Sequence, residues 1–138
     1  MANIPLLGAP VTLKAAGAET VSTTGALVQT LVAMSAGKGF WLATVTCTAT
    51  SGTPTLLIVI EGSNQNGGTW DEVAMIGADG VRTWGLGTQP APMTSAVTVQ
   101  VPVAAMAPVM RYRSIIGGGT PSVTYSVTLA FFMNPDRA

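Results

Sequence analysis

Two segments in the C-terminal half of the chain alternate between apolar and polar residues. Every second residue of 97–103 is a valine, and apolar residues alternate with Ser and Thr over 122–129. This period of two is that of a β-strand with one buried face, because successive side chains of a strand point to opposite sides. An amphipathic helix, which repeats its apolar residues every three or four positions, fits neither segment. The predicted buried faces are Val97, Val99, Val101 and Val103 in the first segment and Val123, Tyr125, Val127, Leu129 and Phe131 in the second.

Three further segments also predict strands. Residues 38–50 alternate with the same period. Residues 55–61 are apolar on both faces, which is typical of a central strand that is covered on both sides. Residues 25–34 are bounded by glycine and rich in aliphatic residues, and we interpret them as a strand rather than a helix. The predicted buried face of the first of these segments comprises Trp41, Ala43, Val45, Cys47 and Ala49.

Glycine and proline separate the predicted strands. Residues 51–54, Ser-Gly-Thr-Pro, are predicted to turn the chain. Residues 117–121, Gly-Gly-Gly-Thr-Pro, are predicted to close a β-hairpin between strands at 110–116 and 122–132, because hairpin loops of this length are common. A phosphate-binding loop is a worse interpretation of the same glycines, because such a loop needs a lysine and a following helix.

The stretch "EGSNQNGGTW", residues 61–70, is the most polar part of the chain. Its Asn-Gly pair is a strong hairpin signal, because both residues tolerate a positive φ. We therefore predict a hairpin between 55–61 and 69–76, with Trp70 packed against its own domain. The predicted hairpin tip comprises Asn64, Gln65, Asn66, Gly67 and Gly68, followed by Trp70.

Two ligand sites are alternatives for this stretch. A calcium loop would draw on Glu61, Asn64, Asn66 and Asp71, although the EF-hand spacing is absent and most of these oxygens are neutral. A sugar site would use the ring of Trp70 or of Trp84 as a stacking platform.

Taken together, the strands and turns predict an all-β fold. Six to nine short strands separated by turn signals are typical of an antiparallel β-sandwich or a jelly-roll-like barrel. At 138 residues the chain is long enough for one domain with a buried core. We expect a single domain over residues 1–138, in which residues 1–10, with two prolines and no charged side chain, form an extended N-terminal arm.

The charge content restricts the partners. Only 9% of the residues are charged and the net charge is zero, whereas about 25% is usual. Without a basic patch, binding to nucleic acid is not expected. Mean hydropathy is +0.48, but no apolar run is long enough for a transmembrane helix and the N-terminus does not resemble a secretory signal. A chain with so few charges is prone to associate, and a permanent assembly would cover much of its surface.

The residue inventory argues against catalysis. The chain has no histidine and a single cysteine, Cys47, which excludes Ser-His-Asp and Cys-His machinery and thiolate zinc sites. Neither Lys14 nor Lys38 lies in a recognisable Ser–Lys motif. The adjacent Asp71 and Glu72 point to opposite faces of a strand and cannot act as a carboxylate pair. We predict a protein that is not an enzyme and binds no cofactor or metal, with Cys47 as a buried small apolar residue.

Two segments resemble small virion proteins of tailed bacteriophages. "TLLIVIEGSNQNGGTWDEVAMI" is similar to a hairpin of those proteins, in which a strand ends in an acid and Gly-Ser-Asn precedes a short turn and Thr-Trp. "MRYRSIIGGGTPSVTYSVTLAFF" resembles their paired C-terminal strands. The two segments cover about a third of the chain. A similar Gly-Ser-Asn…Thr-Trp hairpin occurs in discoidin-like sandwiches that bind sugars or lipids.

The resemblance implies a head decoration, or cement, protein. Such a protein is made in the bacterial host cytoplasm and lies on the capsid exterior of the virion, often as a homotrimer that clamps subunits of the major capsid protein. Phage tail and head–tail connector proteins share similar β folds and are the near alternative, and a discoidin-like carbohydrate-binding sandwich is a further one. The residues we expect at assembly interfaces are Ala2, Asn3, Ile4, Pro5, Leu6, Leu7, Trp84, Arg111 and Arg113.

Overall fold

The computed structural model describes residues 10–29, 39–63, 68–103 and 107–133. These residues form seven β-strands joined in one sheet, with antiparallel pairing throughout. The all-β, antiparallel prediction is confirmed. Within these ranges there is no helix long and apolar enough to cross a membrane. The strands are β1 (Val11–Glu19), β2 (Val28–Gln29), β3 (Gly39–Ser63), β4 (Asp71–Gly77), β5 (Gly80–Thr83), β6 (Val97–Val103) and β7 (Val109–Met133).

Two strands of 25 residues each, β3 and β7, form the spine of the sheet. They run antiparallel from the pair Gly39↔Met133 to the pair Ser63↔Val109. Their register shifts only twice, between Cys47 and Ala49 and between Ser51 and Thr53. Every other strand pairs with one of these two or, in the case of β5, with β4.

The predicted hairpin loop at 117–121 is wrong. Residues 109–133 are one continuous strand, and its two halves pair with β3 rather than with each other. The predicted turn at 51–54 is wrong as well, because these residues continue β3 through a bulge. The register places the two segments opposite each other, with Thr53 beside Gly119 and Pro54 beside Gly118. Both sets of turn residues therefore bend a pair of strands together, which is how sheets make corners in sandwiches.

We call residues 51–54 of β3 and 117–121 of β7 the corner. Glycine is required there because the two backbones nearly touch. Gly118 has a φ of 95°, and a Cβ at this position would collide with the carbonyl oxygen of Thr53. A Cβ at Gly52, which has a φ of 73°, would likewise collide with the carbonyl oxygen of Thr120. Thr120 itself has a φ of 46°, which is uncommon for a β-branched residue and marks local backbone strain.

The corner divides the sheet into two half-sheets that pack face to face. The first half-sheet contains β1, the C-terminal half of β7, the N-terminal half of β3, and β6. The second contains β2, the N-terminal half of β7, the C-terminal half of β3, β4 and β5. One continuous core joins side chains from both halves. The predicted β-sandwich therefore arises from a single folded sheet.

The predicted inward faces agree with this core. In β3, Trp41, Ala43, Val45 and Cys47 are buried, whereas Ala49 at the corner is exposed. The rings of Trp41 and Phe131 meet edge to face, with centroids 5.1 Å apart. Burial raises the pKa of the Cys47 thiol, which is consistent with its predicted role as a packed apolar residue. The predicted faces of β6 and of the C-terminal half of β7 are buried as well, except that Val97 is only partly buried.

The central-strand prediction for 55–61 is also confirmed, because residues on both faces of this segment are buried. Leu56, Ile58 and Ile60 belong to the main core, and Leu57 and Val59 form a second small cluster with Met75 on the opposite face. The hairpin predicted to follow this strand is formed by β3 and β4. Of the strand predicted at 25–34, only Val28–Gln29 is a strand (β2) among the described residues, residues 25–27 are not in a strand, and residues 30–34 lie outside the described ranges.

The corner predicts a large penalty for a side chain at Gly118. Gly118→Ala combines an unfavourable positive φ with a collision against the Thr53 carbonyl group, and we expect the free energy of unfolding to fall by about 3 kcal/mol or more. Gly87→Ala is the matched control, because Gly87 has a φ of 85° and a methyl group added there would meet no atom within 4 Å. We expect that substitution to cost about 1 kcal/mol in a urea titration. Equal losses in the two variants would contradict the paired corner.

Candidate functional site

Glu19, at the end of β1, accepts three hydroxyl hydrogen bonds. Tyr112 Oη donates to Oε2 at 2.7 Å, and Tyr125 Oη donates to Oε1 at 2.6 Å. Ser114 Oγ donates to Oε1 at 2.9 Å. Bonds from hydroxyls to an ionised carboxylate are short and strong, so these four side chains form a well-defined polar cluster, which we call the Glu19 cluster.

The Glu19 cluster links the two half-sheets. Tyr112 and Ser114 lie in the N-terminal half of β7, and Tyr125 lies in its C-terminal half. The two tyrosine rings meet edge to face across the sandwich, with centroids 6.4 Å apart. Lys14 adds a cation over the Tyr125 ring, with Nζ 4.3 Å from the centroid, and donates to the carbonyl oxygens of Ala15, Gly17 and Tyr125. The Glu19 carboxylate therefore connects the two halves of β7, which lie on either side of the corner.

Burial and the nearby Glu19 carboxylate shift the pKa values of Tyr112, Tyr125 and Lys14. The pKa of Tyr112 is raised to about 12, first by burial and then by its hydrogen bond to Glu19. The pKa of Tyr125 is raised for the same reasons and by more. Burial lowers the pKa of Lys14, and the opposite charge of Glu19 partly offsets this. Burial is the largest cause of all three pKa shifts, and the Glu19 carboxylate adds to the shifts of the two tyrosines but opposes that of Lys14.

Arg111 and Arg113, two of the predicted interface residues, form ion pairs within the chain. Both lie on β7 opposite the end of β3, and both contact Glu61. Arg111 Nε lies 2.8 Å from Glu61 Oε1, and Arg113 Nε lies 3.3 Å from Oε2. The Arg111 guanidinium also stacks on the ring of Trp70, 4.0 Å from its centroid. Trp70 thus contacts its own domain, in agreement with the expectation for this residue.

The polar tip is only partly within the described residues. Gly68 is exposed, whereas Asn64, Gln65, Asn66 and Gly67 lie outside the described ranges, as do the predicted interface residues 2–7. The calcium alternative loses one of its ligands, because the carboxylate of Glu61 is held by two guanidinium groups. In the described parts of the chain, no group of three acidic or cysteine side chains is placed to hold a metal ion.

Trp84, the remaining predicted interface residue, lies in the turn that follows β5. Its side chain is 52% exposed and its φ is 58°. Leu86, two residues further on, is 74% exposed. Beside this turn Arg82 and Glu72 form a bidentate pair, at 3.1 Å from Nε to Oε2 and 2.9 Å from Nη2 to Oε1. The turn therefore presents two large apolar side chains next to a charge pair that is internally neutralised.

Most of the charged side chains that the structure describes are held in contacts within the chain. The described ranges contain nine of the twelve charged residues, and eight of the nine make such contacts. Asp79, for example, accepts a bond from the Ala91 amide at 2.9 Å. What remains at the surface is rich in hydroxyl groups, glycine and neutral backbone. The eight residues are Lys14, Glu19, Glu61, Glu72, Asp79, Arg82, Arg111 and Arg113.

Sequence reasoning missed the Glu19 cluster. Its partners are 93 to 106 residues away from Glu19 along the chain, so no local pattern connects them. One signal was available, because Tyr125 was predicted on a buried face and a buried phenol needs an acceptor. A buried Tyr125 hydroxyl requires a nearby carboxylate or carbonyl oxygen, but the sequence does not show that Glu19 provides it.

Among the comparisons with known proteins, only the comparison with solved structures finds a likeness. No family model matches this chain, and no curated protein matches it. The fold is similar to a chain in the structure of the Gx strain of infectious bursal disease virus, with 12% sequence identity and a TM-score of 0.49. The match covers 94% of this chain and 33% of that chain, so this chain spans about a third of its length.

The Glu19 cluster predicts a specific loss of stability. Glu19→Gln keeps the shape of the side chain but turns an amide donor toward hydroxyl donors, and we expect the free energy of unfolding to fall by about 1.5–3 kcal/mol. Asp71→Asn, at an exposed carboxylate, is the control and should change stability by no more than about 0.5 kcal/mol. Denaturant titrations of both variants make the comparison. Similar small effects from both substitutions would show that the cluster contributes little to stability.

The raised tyrosine pKa values predict a stability loss at high pH. Unfolded tyrosine has a pKa of about 10, so the folded state holds the two phenolic protons more tightly. The resulting stabilisation is complete below pH 10 and is lost as the pH rises from about 10 through about 12, where Tyr112 titrates. Tyr112 and Tyr125 are the only tyrosines of the chain, so absorbance at 295 nm reports these groups alone. We expect no tyrosinate signal near pH 10 while the protein is folded, and half-ionisation there would contradict the cluster.

Proposed function

We propose that this protein is a non-enzymatic structural component of a tailed-phage virion, which decorates the capsid exterior and binds across subunits of the major capsid protein. The observation that carries the proposal is the internal pairing of charges, which leaves a neutral surface rich in hydroxyl groups. Such a surface suits close, permanent protein contact, because few ionic groups must lose their hydration when it is covered. The resemblance of the 55–76 and 110–132 segments to phage virion proteins supplies the phage context.

The internal contacts of the carboxylates also support a function that is not enzymatic. A general base needs an accessible lone pair directed at a substrate proton. Glu19 is instead engaged by three hydroxyl donors, and Glu61 by two guanidinium groups. These carboxylates are therefore assigned to holding the fold together.

The mechanism we propose is adhesion by many copies. Each copy would bury a modest apolar and hydroxyl-bearing area, at about 25 cal/mol per Å² of apolar surface. Repetition of that contact across a lattice multiplies its effect, because binding at one subunit raises the effective concentration at the next. A rigid sandwich held by the corner and the Glu19 cluster loses little conformational entropy when it binds.

The N-terminal arm is the predicted capsid-binding segment. Deleting residues 2–7 should leave the domain folded and lower its occupancy on capsids, because the uncharged apolar arm would no longer be available for contact. The measurement uses heads of the phage that encodes this chain, prepared without the protein and then mixed with purified wild type or variant. Co-sedimentation gives the occupancy, and thermal unfolding of the free variant checks the fold. Unchanged occupancy would contradict the role of the arm.

The same preparation tests the function itself. Heads saturated with wild-type protein should release their DNA at a higher temperature than undecorated heads. Binding to purified tails in place of heads would favour a tail or connector protein.

The exposed ring of Trp84 favours a carbohydrate-binding module as the second candidate. That candidate requires binding on a glycan array which is lost in Trp84→Ala or Trp70→Ala, whereas a decoration protein should not bind glycans.

A further inference from the structure

The turn after β5 is a strained and exposed apolar projection, which we call the 84–87 knob. Trp84 has a φ of 58°, in the left-handed region that a bulky residue adopts only with backbone strain. The same turn exposes 52% of Trp84 and 74% of Leu86 to solvent. A fold that accepts both backbone strain and exposed apolar area at one place is typical of a binding surface.

The knob is held in place by its backbone. The Trp84 amide donates to the Val73 carbonyl oxygen at 3.0 Å, and the Leu86 amide donates to the Thr83 carbonyl oxygen at 3.1 Å. Gly85 and Gly87, with φ values of 70° and 85°, provide the left-handed conformations that such a tight turn needs. A backbone that is already fixed in this turn loses little freedom on binding, which lowers the entropic cost of a contact made there.

The opposite edge of the same half-sheet carries the other two exposed large apolar residues among those described. Val21 is 67% exposed and Leu27 is 42% exposed. They flank the segment that runs beside the N-terminal half of β7, where Thr24 bridges to Arg113. The strand order places this segment and β5 at the two ends of the half-sheet. The exposed apolar side chains are thus divided between two opposite edges.

A groove lies at this second edge. It has a volume of about 290 Å³ and is lined by Ser22, Thr23, Thr24, Arg113, Ser114 and Ile115. This volume is at the lower limit of small-molecule sites and suits one large side chain. Arg113 uses Nε for Glu61, and its side chain remains 37% exposed. A guanidinium at the wall of a groove is a favourable neighbour for an indole ring.

We infer that the 84–87 knob of one copy docks into the 22–24/113–115 groove of a second copy of this chain. A second copy fits this groove because Arg113 at its wall is a cationic partner for the Trp84 indole ring. The chain also has zero net charge, and the ionic groups described beside the knob, Glu72 and Arg82, neutralise each other. No repulsion then opposes the approach of identical molecules. Val21 and Leu27 would extend the apolar contact around the groove. Since knob and groove lie on opposite edges, the contact is head-to-tail and generates a ring or a filament.

This inference goes beyond the proposed function and is independent of it. It concerns contacts between copies in solution, whereas capsid occupancy tests decoration. A chain that self-associates through the knob without binding heads would disprove decoration alone. A chain that binds heads as a monomer would disprove the knob contact alone.

The experiment is sedimentation velocity across a concentration series of the full chain. The wild type should form a concentration-dependent oligomer. Removing the knob with the double variant Trp84→Ala/Leu86→Ala should raise the dissociation constant about 30-fold or more, the loss typical of a hot spot. Filling the groove with Thr24→Trp should do the same. Val21→Asp, at an exposed position on the rim, provides a second block if Thr24→Trp fails to fold.

Mixing the variants makes the test specific. The knob-less variant retains its groove, and the groove-filled variant retains its knob, so the mixture should form a one-to-one heterodimer although each variant alone is monomeric. Thr98→Ala, at an exposed position on β6, is the control and should oligomerise like the wild type. A monomeric wild type, a knob-less variant that still oligomerises, or a mixture that stays monomeric would each overturn the inference.

Discussion

The shared bend of β3 and β7 is the constraint on which the rest of the structure depends. Two strands of 25 residues stay paired from end to end, and the only way they can enclose a core is to fold over together. They do so where Ser51–Pro54 of one strand faces Gly117–Pro121 of the other. Gly52 and Gly118 permit the close approach, because any Cβ at these positions would meet a carbonyl group of the opposite strand. Both half-sheets, and hence the whole core, follow from this corner.

The corner also explains where the polar groups lie. Folding β7 over brings Tyr112 and Ser114 to face Tyr125, and Glu19 at the end of β1 accepts hydrogen bonds from all three. A carboxylate placed between two layers would be costly without donors, and three donors remove that cost. Glu61 and Glu72 are likewise paired with arginines. The charges therefore stabilise the fold, and the exterior is left to hydroxyl groups and a few exposed apolar side chains.

Much of the fold was predictable because its information is local. The period of two identified the inward faces of β3, β6 and β7, since alternation depends only on neighbouring residues. The error at 117–121 has a physical reason as well. Glycine and proline give the same sequence signal whether they reverse one strand or bend two paired strands, and the difference depends on what lies opposite. The Glu19 cluster was not predictable, because its members meet only after the corner has formed. Trp84 was predicted at an interface from its residue type, whereas its strained φ and the groove on the opposite edge appear only in three dimensions.

Residues 109–133 form a single strand that bends at the corner and pairs with β3 along its length. Backbone nuclear Overhauser effects in the isotope-labelled protein test it most directly. A single bent strand should give cross-strand contacts between Leu56 and Ile116 on one side of the corner and between Cys47 and Tyr125 on the other. Contacts between Ile116 and Ser122, the pair that would close a hairpin around 117–121, would contradict it.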